Sequence, residues 1–419
     1  MDTGRYILDK KEDIRFLEIV EREKKLKPSQ DFITTIVGPR RAGKTYFIYS
    51  LIKTNRLNDS SYLFVDFEDP IDEKDPLKIM AVHSEVYGRE PEFLFFDEIH
   101  GLENWQKFIR YLHSKKRYKI VVTGSSSKLL SREIATQLRG RSVSVNIFPF
   151  SFAEIFGLHE IPKKKIYSTN EENRIKRIVR KFFGTGFFPD VVLERVSPVQ
   201  FYKEYFELVI SRGLIERFRL RNRFIVEYFL KTTVSGMSNK FSIHRFFNDL
   251  KSQNIHVSKK TLYNLQKIIE DIQVVFFLRK YERSQKKSEM SRPKVYLVDN
   301  GIYRFTRFEE EKGKILENLV FQELLKKGYR PNRDIYYWES VDGKEVDFVI
   351  KKGTTIRQLI QVTYTLDYSN KHREIRSLLK ASRELGCKNL LVITWDYENE
   401  EKTEGRKIKF VPLWKWLIQ

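Results

Sequence analysis

An eight-residue segment near the start of the chain has the residue types and spacing of a phosphate-binding loop. It fits the pattern G-x-x-x-x-G-K-[ST] at every required position and comprises Gly38, Pro39, Arg40, Arg41, Ala42, Gly43, Lys44 and Thr45. The glycines allow successive backbone N–H groups to curl around phosphate oxygens, and the N-terminus of a following helix adds its dipole. Lys44 would place a cation on the β- and γ-phosphates, and Thr45 would offer its hydroxyl to Mg²⁺. The segment predicts a nucleoside triphosphate site.

Two adjacent carboxylates end a later apolar run. Asp97 is placed to hold Mg²⁺ through water, and Glu98 is placed to orient or deprotonate the attacking water. The alternative is that both are solvated acids at the end of a strand. Ser125, in a polar cluster after the next apolar run, is expected to sense the γ-phosphate, although serine-rich turns also occur there without that role.

Alternating strands and helices are needed to bring these groups together. Apolar runs rich in Val, Ile, Phe and Tyr lie at 32–37, 62–67, 93–97, 118–123 and 143–147, and helical stretches lie at 44–53, 104–114 and 128–139. Buried strands that alternate with helices indicate a doubly wound, parallel α/β sheet. Ligands of such sheets bind at the carboxyl ends of the strands, where the motifs lie.

These motifs resemble those of the AAA+ superfamily, and specifically a group of prokaryotic, largely archaeal, predicted ATPases. The resemblance rests on the segments 38–45, 96–100 with Trp105, 123–127, 138–141, 148–154 and 186–189. It implies an α/β fold in which a P-loop AAA+ core with a helical lid is followed by a winged helix and a restriction-endonuclease-like domain. It also implies ATP and Mg²⁺ as cofactors. His100 stands where relatives often carry Gln, which leaves its role open.

The middle of the chain has the pattern of a winged helix. Helical stretches at 224–235, 243–252 and 259–273 precede two strand-like runs, 274–281 and 294–299, which are separated by a basic tip at 283–287. The expected domains are 1–158 for the ATPase core, 159–222 for lid and linker helices, 223–300 for the winged helix and 301–419 for the nuclease-like domain.

Basic residues of this region are the expected DNA contacts. Lys259 and Lys260 follow the predicted N-cap Ser258, where the helix dipole disfavours each cation by about 0.3–1 kcal/mol. Cations placed against that gradient favour an external anion, while the abundance of lysine throughout the chain is the alternative explanation. The full expected set is Lys259, Lys260, Tyr263, Lys267, Lys286 and Lys287.

The last part of the chain resembles the PD-(D/E)xK nuclease fold. By position, that resemblance makes Glu317 the helix acid, Asp347 the central metal ligand, Gln361 the second ligand and Thr363 the occupant of the lysine position. Gln361 supplies a neutral amide oxygen in place of an anion, and Thr363 supplies no cation to polarise water. We therefore expect the domain to bind or dock without cleaving DNA. Another lysine, such as Lys344 or Lys351, would be needed to restore cleavage.

The resemblance also implies assembly into a homo-oligomer. In AAA+ proteins the ATP site lies at a subunit boundary, and an arginine of the neighbour completes it. Arg141, and with it Arg139, is the candidate for that arginine finger, and we expect both at the sheet edge that bears the phosphates. The alternative is a structural arginine that ties the end of a helix to the following strand.

Composition limits the class of protein and its partners. Among 419 residues, 41% are hydrophobic and 14% aromatic, which excludes a disordered chain, and the one cysteine, Cys387, excludes a disulfide framework. No apolar run is long enough to cross a membrane, so we expect a cytoplasmic protein. A formal net charge of +22 favours a nucleic acid as partner. Many Lys and Glu with few Cys also suit a hot habitat, but that does not explain the excess of positive charge.

The combined expectation is an ATP-hydrolysing AAA+ protein that acts on DNA as a motor or a nucleotide switch. Two alternatives remain open: an ATP-gated, metal-dependent DNA nuclease, and a nucleotide-controlled scaffold that binds a protein. Cleavage of DNA with a divalent metal would support the nuclease. Absence of DNA affinity, or affinity that does not depend on salt, would support the scaffold.

Overall fold

A computed structural model describes residues 2–124, 140–215, 222–306 and 311–418 of the chain, with the backbone alone for residues 212, 213 and 368–370. The chain divides into two units. One comprises Met1–Phe150 with Asp271–Gln273, and the other comprises Ser151–Glu270 with Val274–Gln419.

The first unit is built on five parallel strands in the order β2-β3-β4-β1-β5. The strands are β1 (Ile33–Val37), β2 (Tyr62–Asp66), β3 (Phe93–Asp97), β4 (Lys119–Thr123) and β5 (Ser142–Asn146). Each lies within a residue of a predicted apolar run, which confirms the parallel α/β sheet. β1 lies between β4 and β5, so the loop that follows β1 leaves from the interior of the sheet.

Four described helices cover this sheet: α1 (Thr3–Phe16), α2 (Lys44–Thr54), α3 (Pro76–Tyr87) and α4 (Trp105–Ser114). Two short 3₁₀ turns lie at Asp59–Ser61 and Ile99–Gly101. α3 begins at the cap that the sequence suggests, because Asp75 accepts a hydrogen bond from the backbone N–H of Leu77 and Pro76 occupies the first helical position. Buried side chains line both faces of the sheet and fix its carboxyl edge, where the candidate site lies.

The second unit begins with helices in the region expected for the lid. These are α5 (Phe152–Leu158), α6 (Thr169–Thr185), α7 (Pro189–Val192) and α8 (Pro198–Leu208), followed by a π-helical segment at Val209–Ile215. Capping boxes define the starts of α5 and α6, where Ser151 pairs with Glu154 and Ser168 pairs with Glu171.

Three helices and a two-stranded antiparallel sheet follow. They are α9 (Arg223–Ser235), α10 (Ile243–Ser252), α11 (Lys259–Asp271), β6 (Val275–Leu278) and β7 (Lys294–Leu297). Ser258 accepts a hydrogen bond of 3.0 Å from the backbone N–H of Thr261, which confirms the predicted N-cap of α11. The region between β6 and β7 is not the expected open tip, because a short helix, α12 (Gln285–Met290), lies within it.

The remainder of the second unit is a six-stranded sheet of order β12-β13-β11-β10-β9-β8. Its strands are β8 (Ile335–Glu339), β9 (Glu345–Lys352), β10 (Thr355–Thr363), β11 (Leu390–Thr394), β12 (Asn399–Thr403) and β13 (Arg406–Pro412). The accompanying helices are α13 (Asn300–Thr306), α14 (Lys312–Lys326), α15 (Tyr368–Leu385) and α16 (Leu413–Ile418). β8 to β10 form an antiparallel meander, whereas β10, β11 and β13 run parallel.

Candidate functional site

The glycines of the loop after β1 are required by its geometry. A Cβ atom on Gly38 would lie 2.0 Å from the carbonyl oxygen of Ile147, so only glycine fits this close approach of two backbones. Gly43 has a φ of 88° and precedes the first residue of α2, a left-handed conformation that glycine adopts without strain. These two positions let the chain turn tightly from β1 into α2 and leave backbone N–H groups near the N-terminus of that helix.

Lys44 is held over this loop. The side chain is buried, and its ammonium nitrogen lies 3.3 Å from the carbonyl oxygen of Gly38 and 3.1 Å from that of Pro39. Burial lowers the pKa of Lys44, while the carboxylates of Glu98 and Asp97 oppose that shift. An ammonium has three donors, and the two carbonyls use two of them, so a donor remains for a phosphate oxygen. Lys44 therefore fits a phosphate ligand.

Asp97 joins the loop to the neighbouring strands through hydrogen bonds. Its Oδ2 accepts a bond of 2.6 Å from the hydroxyl of Thr45, and its Oδ1 accepts from the hydroxyl of Thr123 on β4. The Thr123 hydroxyl in turn accepts a bond of 3.1 Å from the backbone N–H of Glu98. Burial and the charge of Glu98 raise the pKa of Asp97, although the two threonine bonds act in the opposite direction. Thr45 and Asp97 thus present a hydroxyl and a carboxylate side by side, which is the donor set that Mg²⁺ accepts.

Glu98 stands in a constrained position at the end of β3. Its φ is 42°, a left-handed value that a residue with a side chain rarely adopts, and the following residues form the turn Ile99–Gly101. Oε2 of Glu98 lies 3.1 Å from Nδ1 of His100, and Nε2 of His100 lies 3.9 Å from Glu68. Burial opposes the ionisation of Glu98, but His100 and the ammonium of Lys44 outweigh it and lower the pKa of Glu98. The carboxylate is therefore ionised at neutral pH and able to accept a proton.

Arg22 is a part of this site that sequence reasoning missed. Its buried guanidinium donates to the backbone carbonyl of Ala42 at 3.0 Å and to that of Phe148 at 2.6 Å, and it lies over the ring of Phe150. The arginine therefore braces the phosphate-binding loop from outside the motif. The segment around Arg22 has no recognisable pattern, and only the charge of the side chain marks it.

The candidate γ-phosphate sensor and one of the two candidate fingers, Ser125 and Arg139, lie outside the described residues. Arg141 is described and exposed. The expectation that it lies at the edge bearing the phosphates is wrong. Its carbonyl oxygen accepts from the N–H of Ile33, the first residue of β1, at 2.9 Å, and β5 runs parallel to β1. Arg141 is thus at the amino edge, roughly 15 Å of strand from the loop after Val37, farther than an arginine side chain extends.

The expected DNA-contacting residues are all exposed, and they lie on two helices. Lys259, Lys260, Tyr263 and Lys267 belong to α11, whose opposite face buries Leu262, Leu265, Ile268 and Ile269. Lys286 and Lys287 belong to α12, so they do not form the extended basic tip that the sequence predicts. The backbone beyond β6 instead contacts β8, because Tyr281 donates to the carbonyl of Tyr337 at 2.6 Å. The segment between β6 and α12 is thus hydrogen-bonded to the C-terminal sheet.

The structure brings together all four residues expected to form the nuclease-like site. The backbone N–H of Asp347 donates to Oε1 of Gln361 at 3.3 Å, and Oδ2 of Asp347 accepts from the N–H of Val362 at 2.9 Å. Glu317, on α14, reaches the same cluster through a shared lysine partner. Thr363 lies on β10 and lines the same cavity as these three residues, and its hydroxyl donates to the carbonyl of Thr365.

The shared partner is Lys294, which sequence reasoning did not identify. This residue of β7 is only 3% exposed, and its ammonium nitrogen lies 2.6 Å from Glu317, 2.8 Å from Glu345 and 3.2 Å from Asp347. Of the two lysines that the sequence suggested, Lys344 lies beside the cluster and pairs with Asp342, whereas Lys351 lies over the ring of Tyr336. A cavity of about 670 Å³ borders the cluster.

Family models match three parts of the chain. Residues 30–156 match the model described as an AAA domain. Residues 176–312 match a domain of unknown function, DUF8612, and residues 312–416 match another, DUF4143. The AAA match covers β1 to β5 and the motifs of the candidate nucleotide site.

Two curated relatives align over nearly the whole chain. The uncharacterized protein MJ1544 of Methanocaldococcus jannaschii is 34% identical over 98% of this chain and 94% of its own length. An uncharacterized protein of Haemophilus influenzae is 25% identical over 93% of this chain and 95% of its own.

Solved structures give more distant matches. The Aeropyrum pernix ORC1 protein in complex with DNA is 11% identical, with a TM-score of 0.28, over 78% of this chain and 93% of that one. AMPPCP-bound DnaA of Aquifex aeolicus is also 11% identical, with a TM-score of 0.24, over 62% of this chain and 85% of that one. Within the described ranges, no helix combines the length and apolar character needed to cross a membrane.

Proposed function

We propose that this chain, which belongs to the same family as protein MJ1544 of M. jannaschii and contains an AAA domain, hydrolyses ATP and acts on DNA. One observation carries the ATPase proposal. The hydroxyl of Thr45 and the carboxylate of Asp97 are joined by a bond of 2.6 Å, beside the ammonium of Lys44 and the carboxylate of Glu98. Two pairs of adjacent residues, from separate parts of the sequence, would thus supply the phosphate cation, the metal donors and the base that phosphoryl transfer to water requires.

Each residue has a proposed role. The segment 38–45 would hold the phosphates of ATP through backbone N–H groups, and Lys44 would bind the β- and γ-phosphates. Thr45 and Asp97 would hold Mg²⁺, which neutralises charge on the phosphates when bound. Glu98, ionised and beside His100, would orient the attacking water and accept its proton. Ser125 remains the proposed sensor of the γ-phosphate.

The DNA proposal rests on charge and exposure. The net charge of +22 favours a polyanion, and α11 presents Lys259, Lys260, Tyr263 and Lys267 on its exposed face. We propose that α9 to α11 with β6 and β7 act as a winged helix. In this proposal the PD-(D/E)xK-like C-terminal domain adds DNA contact without cleavage. A DNA substrate in such a prokaryotic family would place the protein in the cytoplasm.

The proposed organisation is a homo-oligomer of four-part subunits. The parts remain 1–158 for the ATPase core, 159–222 for the lid, 223–300 for the winged helix and 301–419 for the nuclease-like domain. Because Arg141 lies far from the loop of its own chain, an arginine finger at this position would serve a neighbouring subunit.

The test is the ATPase rate measured with a panel of DNA ligands: duplex, fork, four-way junction and single strand. We expect at least one of them to raise the rate, with an effect that weakens as salt increases, and Lys44→Ala to abolish the signal in every case. The same samples, run on a denaturing gel with Mg²⁺ or Mn²⁺, reveal any cleavage. Cut DNA would replace this proposal with the ATP-gated nuclease, and no effect of any DNA would replace it with the protein-binding scaffold.

A further inference from the structure

The acidic cluster of the C-terminal sheet already contains a cation supplied by the chain. Lys294 comes from β7, outside the six-stranded sheet, whereas Glu345 and Asp347 belong to β9 and Glu317 belongs to α14. The ammonium nitrogen lies within 3.2 Å of an oxygen of each of these carboxylates. Three acids from two elements thus converge on one buried lysine.

The residues present do not fit the divalent metal that a PD-(D/E)xK-like fold implies. An ammonium has three N–H donors, and here three carboxylates accept them, so no donor remains for a water or a phosphate. Mg²⁺ requires carboxylate oxygens at about 2.0–2.1 Å in octahedral geometry, and the ammonium of Lys294 contacts Glu317 and Asp347, the acids that would supply them. A metal there would face a positive charge at contact distance.

Further contacts strengthen this arrangement. Lys240 lies 2.7 Å from Glu345 and so adds a second cation to the same cluster. The hydroxyl of Tyr296 donates to the carboxylate of Glu317 at 2.6 Å. The three carboxylates in contact with the Lys294 nitrogen favour its charged, ammonium form.

We infer that the ammonium group of Lys294 takes the place of the divalent metal, so that the C-terminal domain is a metal-independent module whose acids are neutralised from within. A buried ion pair of this kind stabilises little by itself, but removal of one partner leaves uncompensated buried charge. Loss of Lys294 should therefore leave three carboxylates without this cation and raise their affinity for another one. The inference concerns the second unit alone and holds whether or not the first unit hydrolyses ATP.

The experiment measures Mn²⁺ binding to the nucleotide-free, full-length protein by electron paramagnetic resonance. Four proteins are compared: wild type, Lys294→Met, Asp347→Asn and the double variant. Any Mn²⁺ bound near Thr45 and Asp97 is a shared background, since these residues are unchanged in all four. We expect Lys294→Met to bind Mn²⁺ at least about tenfold more tightly than the wild type. The gain should vanish in the double variant, and Asp347→Asn should bind as the wild type does.

Thermal unfolding supplies a second measurement. Lys294→Met should have a lower midpoint than the wild type without metal, and Mn²⁺ should raise the midpoint of this variant by more than it raises that of the wild type. Wild-type binding that is lost in Asp347→Asn would overturn the inference, because Lys294 would then move aside for a metal. A folded Lys294→Met that gains no affinity would also overturn it. If Lys294→Met fails to fold, the Mn²⁺ affinities of the wild type and Asp347→Asn still decide whether Asp347 binds a metal in the wild type.

Discussion

The hydroxyl of Thr45 donates a hydrogen bond of 2.6 Å to Oδ2 of Asp97, and this bond links the first residues of α2 to the end of β3. The two residues are far apart in the sequence, yet both belong to motifs that the sequence alone predicts. Asp97 is fully buried and Glu98, the next residue, is turned by its left-handed backbone toward His100. Adjacent carboxylates thus have different surroundings, which is the basis for assigning them different roles.

The first prediction separates nucleotide binding from hydrolysis. Lys44→Ala should abolish binding of a fluorescent ATP analogue, because it removes the cation that would face the phosphates. Glu98→Gln should bind the analogue with nearly wild-type affinity, since the phosphate loop is unchanged, but its kcat should fall by about 10²–10⁴. Titration of the analogue and a phosphate-release assay measure the two quantities. Wild-type turnover in Glu98→Gln would remove Glu98 from the mechanism.

The second prediction concerns DNA affinity. Binding should weaken steeply between low and moderate salt, with a log–log slope of several units, because neutralised phosphates release counterions. Replacement of Lys259 and Lys260 by Glu should weaken binding and make the slope shallower, as measured by fluorescence anisotropy. The same change in Lys286 and Lys287 tests α12 separately.

The matched control for the DNA prediction is the replacement of Lys115 and Lys116 by Glu, since these two exposed lysines follow α4 in the ATPase core. It changes the net charge in the same direction without altering α11 or α12. If the control lowers DNA affinity as much as the replacement of Lys259 and Lys260, the effect belongs to the total charge, and α11 is not the contact.

The third prediction concerns the pH dependence of stability. Burial, with the nearby charge of Asp97, raises the pKa of Asp66 from 3.8 to about 7 in the folded chain. The folded chain therefore holds this proton more tightly than the unfolded chain does, and the free energy of unfolding should fall as pH rises from about 4 to about 7. Because water partly reaches Asp66, the free energy of unfolding should fall by only about 2 kcal/mol over this range.

Asp66→Asn should remove this loss, because the amide does not ionise in that range. Urea unfolding at a series of pH values measures the free energy of unfolding of wild type and variant, and the difference between them gives the loss due to Asp66. Asp13→Asn, at an exposed position, is the control. Parallel pH curves for wild type and Asp66→Asn would show that Asp66 is not the group responsible.

Local patterns in the sequence account for the elements but not for every contact at the site. The prediction of a strand at 93–97 matches β3, and the prediction of a helix at 243–252 matches α10, because apolar periodicity is a local signal. α12 was missed because a helix of so few residues shows too little periodicity. Its contacts include the N-cap Ser284, which accepts from the N–H of Lys287, and the buried Ser288, which donates to the carbonyl of Lys280.

Long-range partners explain the other failures. In the sequence, no local pattern distinguishes Lys294 from other lysines in short strands. Only the fold brings it to Glu317 and Asp347. Arg22 likewise gains its role from carbonyl groups of Ala42 and Phe148. Backbone carbonyls and acids from other elements leave no pattern around the residue that contacts them, so no local reading could have found either one.

The last prediction concerns assembly. Arg141 precedes β5 at the amino edge of the sheet, where its carbonyl accepts from Ile33, while the phosphate loop leaves the opposite edge. It cannot complete the ATP site of its own chain, so any catalytic role requires a second subunit. An arginine finger contributes about 10³–10⁵ to the rate. Arg141→Ala should therefore bind ATP normally and hydrolyse it slowly, and wild-type specific activity should rise with protein concentration until the oligomer is complete.

Mixing Arg141→Ala with Lys44→Ala should recover activity that neither variant has alone, because a mixed interface can pair an intact loop from one subunit with an intact arginine from the other. Sedimentation velocity measures the assembly state. In the activity assay, a mixture of Lys402→Glu with Lys44→Ala is the control for dilution of one variant by another. A monomeric protein with full, concentration-independent turnover would leave Arg141 as a surface residue at the start of β5.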